Sequence, residues 1–388
     1  MTHNIVQARW ALLLGASVCL THALHAQTAP KLAINLQPGY AGITVAGAVN
    51  TAYAIQATTN LPQTNGWATL TNVVLPSSPW VYLDYASSGM AQRFYRVVGI
   101  TLSRTNMVLV PAGSFAMGDG LSDSDDSWGE RPVHTVNVSA FYMDRYEVTK
   151  ALWDEVYTWA VAHGYSFDNE GWGKAANHPV YMVNWYDVVK WCNARSQKDG
   201  RVPAYYADTA QNTVYTTGQV SVQNDWVKWN AGYRLPTEAE WEKAARGGVG
   251  GRRFPWGNTI KQSQANYYAM PISAGGYDYD LNASPGYHPS YISGGLPYTS
   301  PVGSFASNGY GVYDMVGDVW EWSWDWRGSY SSGSQSDPQG PGSGSYRVLR
   351  GGGFGSDAFD CRMARRNSRN PATKDWDMGF RSVLPPGS

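Results

Sequence analysis

Cysteine is nearly absent from this chain: among 388 residues only Cys19, Cys192 and Cys361 carry a thiol. So few thiols exclude a disulfide framework, leaving room for one bridge at most. Charge is scarce too, at 15% of residues with a net charge of -1, against roughly 25% charged residues in an average soluble protein. No broad basic face therefore advertises nucleic acid or an anionic membrane. No apolar run reaches the roughly 18 residues of a membrane-spanning helix. Histidine is sparse beyond the N-terminus, and His134, His163, His178 and His288 form no HxH, HExxH or two-His-one-carboxylate spacing, which argues against zinc and non-haem iron catalysis. No P-loop or Gly-x-Ser-x-Gly elbow is present. What the chain has instead is 42 Gly, 18 Trp and 26 Tyr. That composition predicts a loop-rich fold with an aromatic core and tight turns.

Residues 1–26 read as a secretory leader: Arg9 in a short basic region, an apolar run from Trp10 to Leu20 that contains Cys19, and small Ala26 before Gln27. The expectation is a protein exported to the periplasm or beyond the cell. Residues 31–100 then alternate apolar and polar side chains at Tyr53–Ala57, Val81–Tyr85 and Phe94–Val98, with turn-forming clusters between them. This predicts a small antiparallel β module. It is similar to the fibronectin-like modules of exported bacterial proteins, which serve spacing or attachment. No His, Cys or paired carboxylates gather in it.

A second unit is expected over residues 105–386. Met107–Gly113 reads as a strand entering a turn, and three helices can be argued after it. Thr149 is placed to cap a helix with Leu152, Val156 and Trp159 on one face. Val183 to Asn193 sets Trp185, Val188, Val189 and Cys192 at helical spacing. Thr237 and Glu240 form a capping box, and Gly247 stops that helix after Arg246. Arg201 to Trp229 lacks periodicity and reads as insertion loops. The acidic loop Asp119 to Asp126 reads as solvated, with calcium binding as the alternative.

Chemistry-bearing residues cluster late in the chain. In GYGVYDMVGDVWEWSWDW the acids Asp314, Asp318, Glu321 and Asp325 lie among aromatic rings, where a carboxylate needs a cation or a hydrogen-bond partner to stay charged. Calcium accepts carboxylate and backbone oxygens, so this is one candidate site; pairing with arginines of the C-terminal segment is the other. Farther on, Gly351 to Cys361 is a Gly-rich loop closed by a thiol. Arg362, Arg365 and Arg366 would favour a thiolate at Cys361. Asp360 would oppose it, and a small buried thiol packed under the loop is the alternative.

With RLPTEAEWEKAARGG from Arg234, GYGVYDMVGDVWEW from Gly309 and RVLRGGGF closing on MGFRSV, the chain resembles the formylglycine-generating enzyme, or sulfatase-modifying factor, family. The resemblance covers Met107 to Leu384. It implies an α+β, loop-rich fold related to C-type lectins, here preceded by the small all-β module. In that family two cysteines hold copper(I) and oxidise a substrate cysteine; the matching positions are Ser356 and Cys361, with Arg365 a retained family arginine. The family serine after the Gly-Gly pair is Gly353, its histidine is Asp357 and its tyrosine is Asp360. Structural calcium is implied at Asp314, Gly317, Val319 and Glu321, and at a second site beginning with Asn266 and Tyr267. The aspartate of that second site falls near Gly294 or Gly295, leaving Asp278 or Asp280 as substitutes. Cys192 matches a cysteine whose partner position is Ser382, and is expected to be a buried helix residue.

Three readings follow from the resemblance. One is a diverged member without the copper chemistry, acting as an exported binding domain for a protein or glycan. Another is a copper-dependent oxidoreductase that converts a cysteine of an exported sulfatase to formylglycine. The third is an enzyme of the family with an unassigned reaction.

Overall fold

A computed structural model describes residues 4–9, 30–37, 40–47, 52–59, 67–74, 78–88, 90–99, 106–121 and 128–388. The apolar run of the expected leader, Trp10 to Leu20, and residues 122–127 of the acidic loop lie outside the described residues. The chain divides into two compact units: Met1–Arg104 with Asp199–Val202 and Gly387–Ser388, and Thr105–Lys198 with Pro203–Pro386.

Among its described residues the first unit is built of β-strands with one short 3-10 turn, Tyr85–Ser87. Its strands are β1 (Asn4–Arg9), β2 (Lys31–Gln37), β3 (Tyr40–Ala46), β4 (Ala52–Thr58), β5 (Ala68–Val74), β6 (Trp80–Asp84) and β7 (Gln92–Gly99). They form two antiparallel sheets, ordered β1-β7-β4-β5 and β2-β3-β6. Alternate residues point inward, so Ala41, Ile43 and Val45 of β3 meet Tyr53, Ile55 and Ala57 of β4 and Tyr95 and Val97 of β7 in one core. The alternating runs Tyr53–Ala57 and Phe94–Val98 fall within β4 and β7, and Val81–Tyr85 ends one residue beyond β6. Asp84 is buried there because Arg93 pairs with it at 2.8 Å and the Tyr95 hydroxyl donates to it at 2.9 Å.

The second unit mixes short strands with three helices. In chain order these are β8 (Met107–Val110), β9 (Gly113–Met117), β10 (His134–Val138), β11 (Phe141–Asp144), α1 (Lys150–Ala162), α2 (Trp185–Lys198), α3 (Glu238–Arg246), β12 (Trp320–Trp326), β13 (Gln335–Ser336), β14 (Arg347–Arg350), β15 (Asn367–Arg369), β16 (Met378–Gly379) and β17 (Val383–Leu384). The sheets run β13-β10-β9, β17-β11-β8 and β15-β14-β12-β16.

Thr149 caps α1 by accepting from the Leu152 N–H, but the face that α1 buries is Trp153, Val156 and Ala160. Leu152 and Trp159 pack at its margin. Helix α3 has both halves of the predicted capping box and ends at Gly247 in the left-handed conformation, φ 57°. The core is aromatic as the composition implied: Trp153 and Trp191 stack at 5.8 Å, and Trp185, Tyr205 and Trp229 surround Trp324.

Several arginines are buried within this core against carboxylates. Glu238 of α3 takes a fork from Arg366, with both contacts at 2.6 Å. Glu242 joins Arg246 at 2.6 Å to Arg350 at 2.5 Å. Glu130 takes a fork from Arg362 at 2.9 and 3.0 Å, and Glu321 takes one from Arg381. Such bidentate pairs fix orientation as well as charge. The Glu-x-x-x-Glu spacing within RLPTEAEWEKAAR is thus explained by its ion pairs with the C-terminal arginines.

Candidate functional site

Strand β14 delivers the chain into Gly351 and Gly352, both with positive φ, at 96° and 79°. A Cβ on Gly352 would stand 2.6 Å from the Cys361 sulfur, so only glycine lets the loop close over the thiol. Ser356 is consumed by that closure: its hydroxyl accepts from the Gly353 N–H at 3.0 Å, and its carbonyl accepts from the Tyr268 N–H at 2.9 Å. Asp357 accepts from the Phe359 and Asp360 N–H groups at 3.0 and 3.1 Å, and from the Tyr277 hydroxyl at 3.1 Å.

Cys361 lies at the end of this loop with no exposed surface, packed among Phe254, Ile260, Tyr267 and Val316. Burial pushes its thiol well above the usual range, and Asp360, Asp357 and Asp280 push it further. The three arginines that might have drawn it down are engaged elsewhere. Arg365 pairs with Asp360 at 2.6 Å and stacks over Trp128; Arg362 and Arg366 hold Glu130 and Glu238. The arrangement is that of a packed thiol.

Cys192 is likewise buried in α2 and its thiol is raised by burial. The Ser382 hydroxyl donates to Asp144 at 2.7 Å and accepts from Arg195 at 2.8 Å.

A second cluster forms where the turn before β12 meets the segment ahead of α1. Asp314 and Asp318 both adopt positive φ, 54° and 63°, which a side chain other than glycine tolerates only under constraint. Asp314 accepts from the Gly303 N–H at 2.5 Å through Oδ2, while its Oδ1 is buried without a partner. Glu147 stands beside it: Oε1 is 3.4 Å from the Val319 N–H, and Oε2 is buried without a partner. Burial raises the Glu147 carboxyl well above its ordinary value, and repulsion from Asp318 and Asp314 adds to that. Asp314 is raised to about 6 and Asp318 to about 8, burial being the larger cause in each.

Bringing acids together in this way leaves two carboxylate oxygens, Asp314 Oδ1 and Glu147 Oε2, buried without a hydrogen-bond partner. A divalent cation would satisfy them. Among the described residues no three His, Cys, Asp or Glu side chains form a ready ligand group, so a cation here would draw on backbone carbonyls as well. The orphan oxygens of Asp314 and Glu147 fit that requirement.

Glu321, expected as an anionic ligand, has both oxygens engaged: Arg381 contacts them at 2.6 to 2.9 Å, and Trp241 donates to Oε2 at 2.7 Å. In this respect the arginine-pairing alternative describes Glu321 correctly. Sequence reasoning missed Glu147, because nothing local in Tyr146–Glu147–Val148 marks it as part of a site whose Val319 lies 172 residues away in the chain.

At the second expected calcium position, Asn266 Oδ1 is buried without a partner, and its Nδ2 donates to Asp318 at 3.0 Å. The Tyr267 carbonyl accepts from Gln262 at 2.9 Å. Asp280 does not supply the missing anion: the Tyr267 hydroxyl and the Met270 N–H occupy it at 2.8 and 2.6 Å. Asp318 is the carboxylate that Asn266 meets.

Residues 99–385 match the family described as the sulfatase-modifying factor enzyme 1-like domain. A formylglycine-generating enzyme of Streptomyces coelicolor is 35% identical over 295 residues, covering 72% of this chain and 89% of that protein. A chaperone protein LppX of Paenibacillus barcinonensis is 32% identical over 292 residues, covering 74% of this chain and 91% of its own length. Among solved structures, Treponema denticola variable protein 1 superposes with a TM-score of 0.53 at 29% identity, covering 72% of this chain and 95% of that one.

Proposed function

Because the chain belongs to the sulfatase-modifying factor family, we propose that it is an exported binding member of that family, without the two-cysteine copper oxidation of formylglycine-generating enzymes. The observation that carries this reading is Ser356, whose hydroxyl is tied to the Gly353 N–H where the resemblance calls for a thiolate. Copper(I) is soft and favours thiolate ligands. A neutral serine hydroxyl does not replace one, and Cys361 is buried with its thiol held protonated. The residues present do not fit copper.

Export is inferred from the leader-like residues 1–26. The ligand class that goes with this reading is a protein or a glycan. That relatives of similar identity are named both as formylglycine-generating enzymes and as a chaperone is compatible with diverged roles on this fold. The competing reading, an oxidase acting on a sulfatase cysteine, draws on the retained Cys361 and Arg365 and on the 35% identity to a formylglycine-generating enzyme.

Calcium belongs to the proposal as a structural ion. Asp314 and Glu147 would supply its charge, and the carbonyls of Gly317 and Val319 the neutral ligands that the resemblance implies. Its contribution is to cancel carboxylate repulsion and lock the turn that carries Gly317 against Asn266.

A copper(I) competition titration, with mass spectrometry of a Cys-x-Pro-x-Arg peptide, tests the main reading. The wild-type protein is expected to bind copper weakly and leave the peptide unchanged, and Ser356→Cys to bind copper more strongly. Activity need not return in that variant, since Gly353, Asp357 and Asp360 also depart from the family pattern. Formylglycine produced by the wild-type protein and abolished by Cys361→Ala would overturn the reading.

A further inference from the structure

A cavity of about 110 Å³ opens where the residues after β9, the C-terminus of α3 and the turn at residues 251–253 come together. It holds far more than the roughly 10 to 15 Å³ needed for one water, and less than the about 300 Å³ at which typical small-molecule sites begin. It includes no residue of the loop that closes over Cys361 or of the acidic turn before β12. Four arginines line it, Arg246, Arg252, Arg253 and Arg362, against a single carboxylate, Asp119.

Arg246 is 4% exposed. Glu242 accepts from its Nε at 2.9 Å and from its Nη2 at 2.6 Å, and the Gly118 carbonyl accepts from the same Nη2 at 2.9 Å. Its Nη1 makes no hydrogen bond and keeps water-accessible surface, so these two donors are left for the cavity that the side chain lines. Arg252 stands exposed at the rim, and among the described residues it has neither a hydrogen-bond nor an ion-pair partner.

The walls that carry these donors are tied to one another. The Asp119 N–H donates to the Glu130 carbonyl at 2.9 Å, and the Met363 N–H to the Arg253 carbonyl at 2.8 Å. Gly118 has φ 109°, and a Cβ there would stand 2.6 Å from the Glu130 carbonyl oxygen, so glycine alone permits this close approach. The carbonyls at the end of α3, the negative end of its dipole, are also taken. Ala244 accepts from the Gly247 N–H and from Asn308, and Ala245 from Asn308.

The charge of the lining selects an anion. Asp119 opposes one, but its Oδ1 accepts from the Leu121 N–H at 2.9 Å and its Oδ2 stands 3.6 Å from Arg131. Arg362 is matched by the Glu130 fork. Glu242 is shared between Arg246 and Arg350, so it offsets only part of the charge of Arg246. Arg252 is offset by nothing. We propose that the cavity binds a tetrahedral oxyanion, phosphate or sulfate, free or as the end group of a monoester, through Arg246 Nη1 and the Arg252 guanidinium. Guanidinium N–H groups match the oxygens of such an ion, and their hydrogen bonds to it are charge-assisted. The space admits the oxyanion and leaves the body of an ester outside, past Arg252. This inference goes beyond the proposed function and stands whether or not the loop over Cys361 has any activity.

Phosphorus NMR of millimolar inorganic phosphate with the full chain, at constant ionic strength, tests it. Saturable line broadening is expected, reversed by sulfate and not by chloride. The Cβ position of Gly120, on the cavity wall, has open space around it. Gly120→Glu therefore brings a carboxylate to the cavity without displacing its neighbours, and is expected to abolish the broadening. Arg252→Ala is expected to weaken binding about tenfold, the worth of one hydrogen bond to a charged group. Arg369→Ala removes the same charge from an exposed arginine of β15 outside the cavity, and is expected to change nothing. Glycerol phosphate and phenyl sulfate distinguish the two sources: stronger displacement by them than by the inorganic ions supports an ester as occupant, and weaker displacement supports the free ion. Absence of saturable broadening, or broadening that survives in Gly120→Glu, would overturn the assignment. Equal losses in Arg252→Ala and Arg369→Ala would also overturn it, since net charge alone would then account for the attraction. Should Gly120→Glu fail to fold, the comparison of Arg252→Ala with Arg369→Ala still decides.

Discussion

Cys361 and Asp325 show how position governs the chemistry of a single side chain in this protein. Three arginines follow Cys361 within five positions, which in isolation favours a thiolate, yet each guanidinium is directed to a carboxylate and none is spent on sulfur. Asp325 is an acid among rings, and its carboxyl is raised to about 7, first by burial and then by the charge of Glu238. The folded protein therefore holds this proton from the ordinary value of 3.8 up to about 7, whereas the unfolded chain has released it. Across that window the folded state binds more protons, so stability contributed by this group falls as pH rises. Glu238, lowered to about 2, titrates below this window and does not blur it. Asp325→Asn has no proton to lose and its amide oxygen can still accept from the Glu238 N–H. Urea midpoints measured from about pH 4 to 8 are expected to fall less steeply for the variant than for the wild-type protein. Parallel curves would mean that Asp325 is ionised throughout.

The turn into β12 concentrates what was and was not legible beforehand. Its acids were evident in the sequence, and so was their need for a cation or for arginine. How these two possibilities divide was not, because it depends on residues far away in the chain: Arg381 takes Glu321, and Glu147 comes in from the segment before α1 to face Asp314. Local signals were reliable where the interaction itself is local. The capping box of α3 spans Thr237 to Glu240, and it formed as written. Strands β4, β6 and β7 follow period-two alternation; the two- and three-residue strands β13, β15, β16 and β17 are too short to show any period. For the turn, the expected outcome is that calcium raises the thermal midpoint and a chelator lowers it. At a hundredfold excess over its dissociation constant one ion contributes about 2.7 kcal/mol. Glu147→Gln should reduce this effect, since it removes one of the two anions with an unpartnered oxygen. Superimposable unfolding scans with calcium and with chelator would exclude the ion.

Taken as a chain of two units, the protein separates packing from chemistry. The first unit has its own core of Ile43, Val45, Tyr53, Ile55, Tyr95 and Val97, and its buried Asp84 finds its partners, Arg93 and Tyr95, within the same unit. The second unit has aromatic cores and buried ion pairs of its own, and both clusters of functional interest lie in it. Among the described residues each unit has a hydrophobic core of its own, the first requirement for folding alone. Removal of residues 1–104 is therefore expected to leave a soluble second unit with a cooperative thermal transition and an unchanged calcium response. Limited proteolysis of the full chain should cut first between Ser103 and Asn106, where the backbone passes from one unit to the other. A truncated protein that is insoluble, or that unfolds without a cooperative transition, would mean that the β module completes the core of its neighbour. In that case its sequence, free of chemical residues, would be explained by stability and not by spacing or attachment.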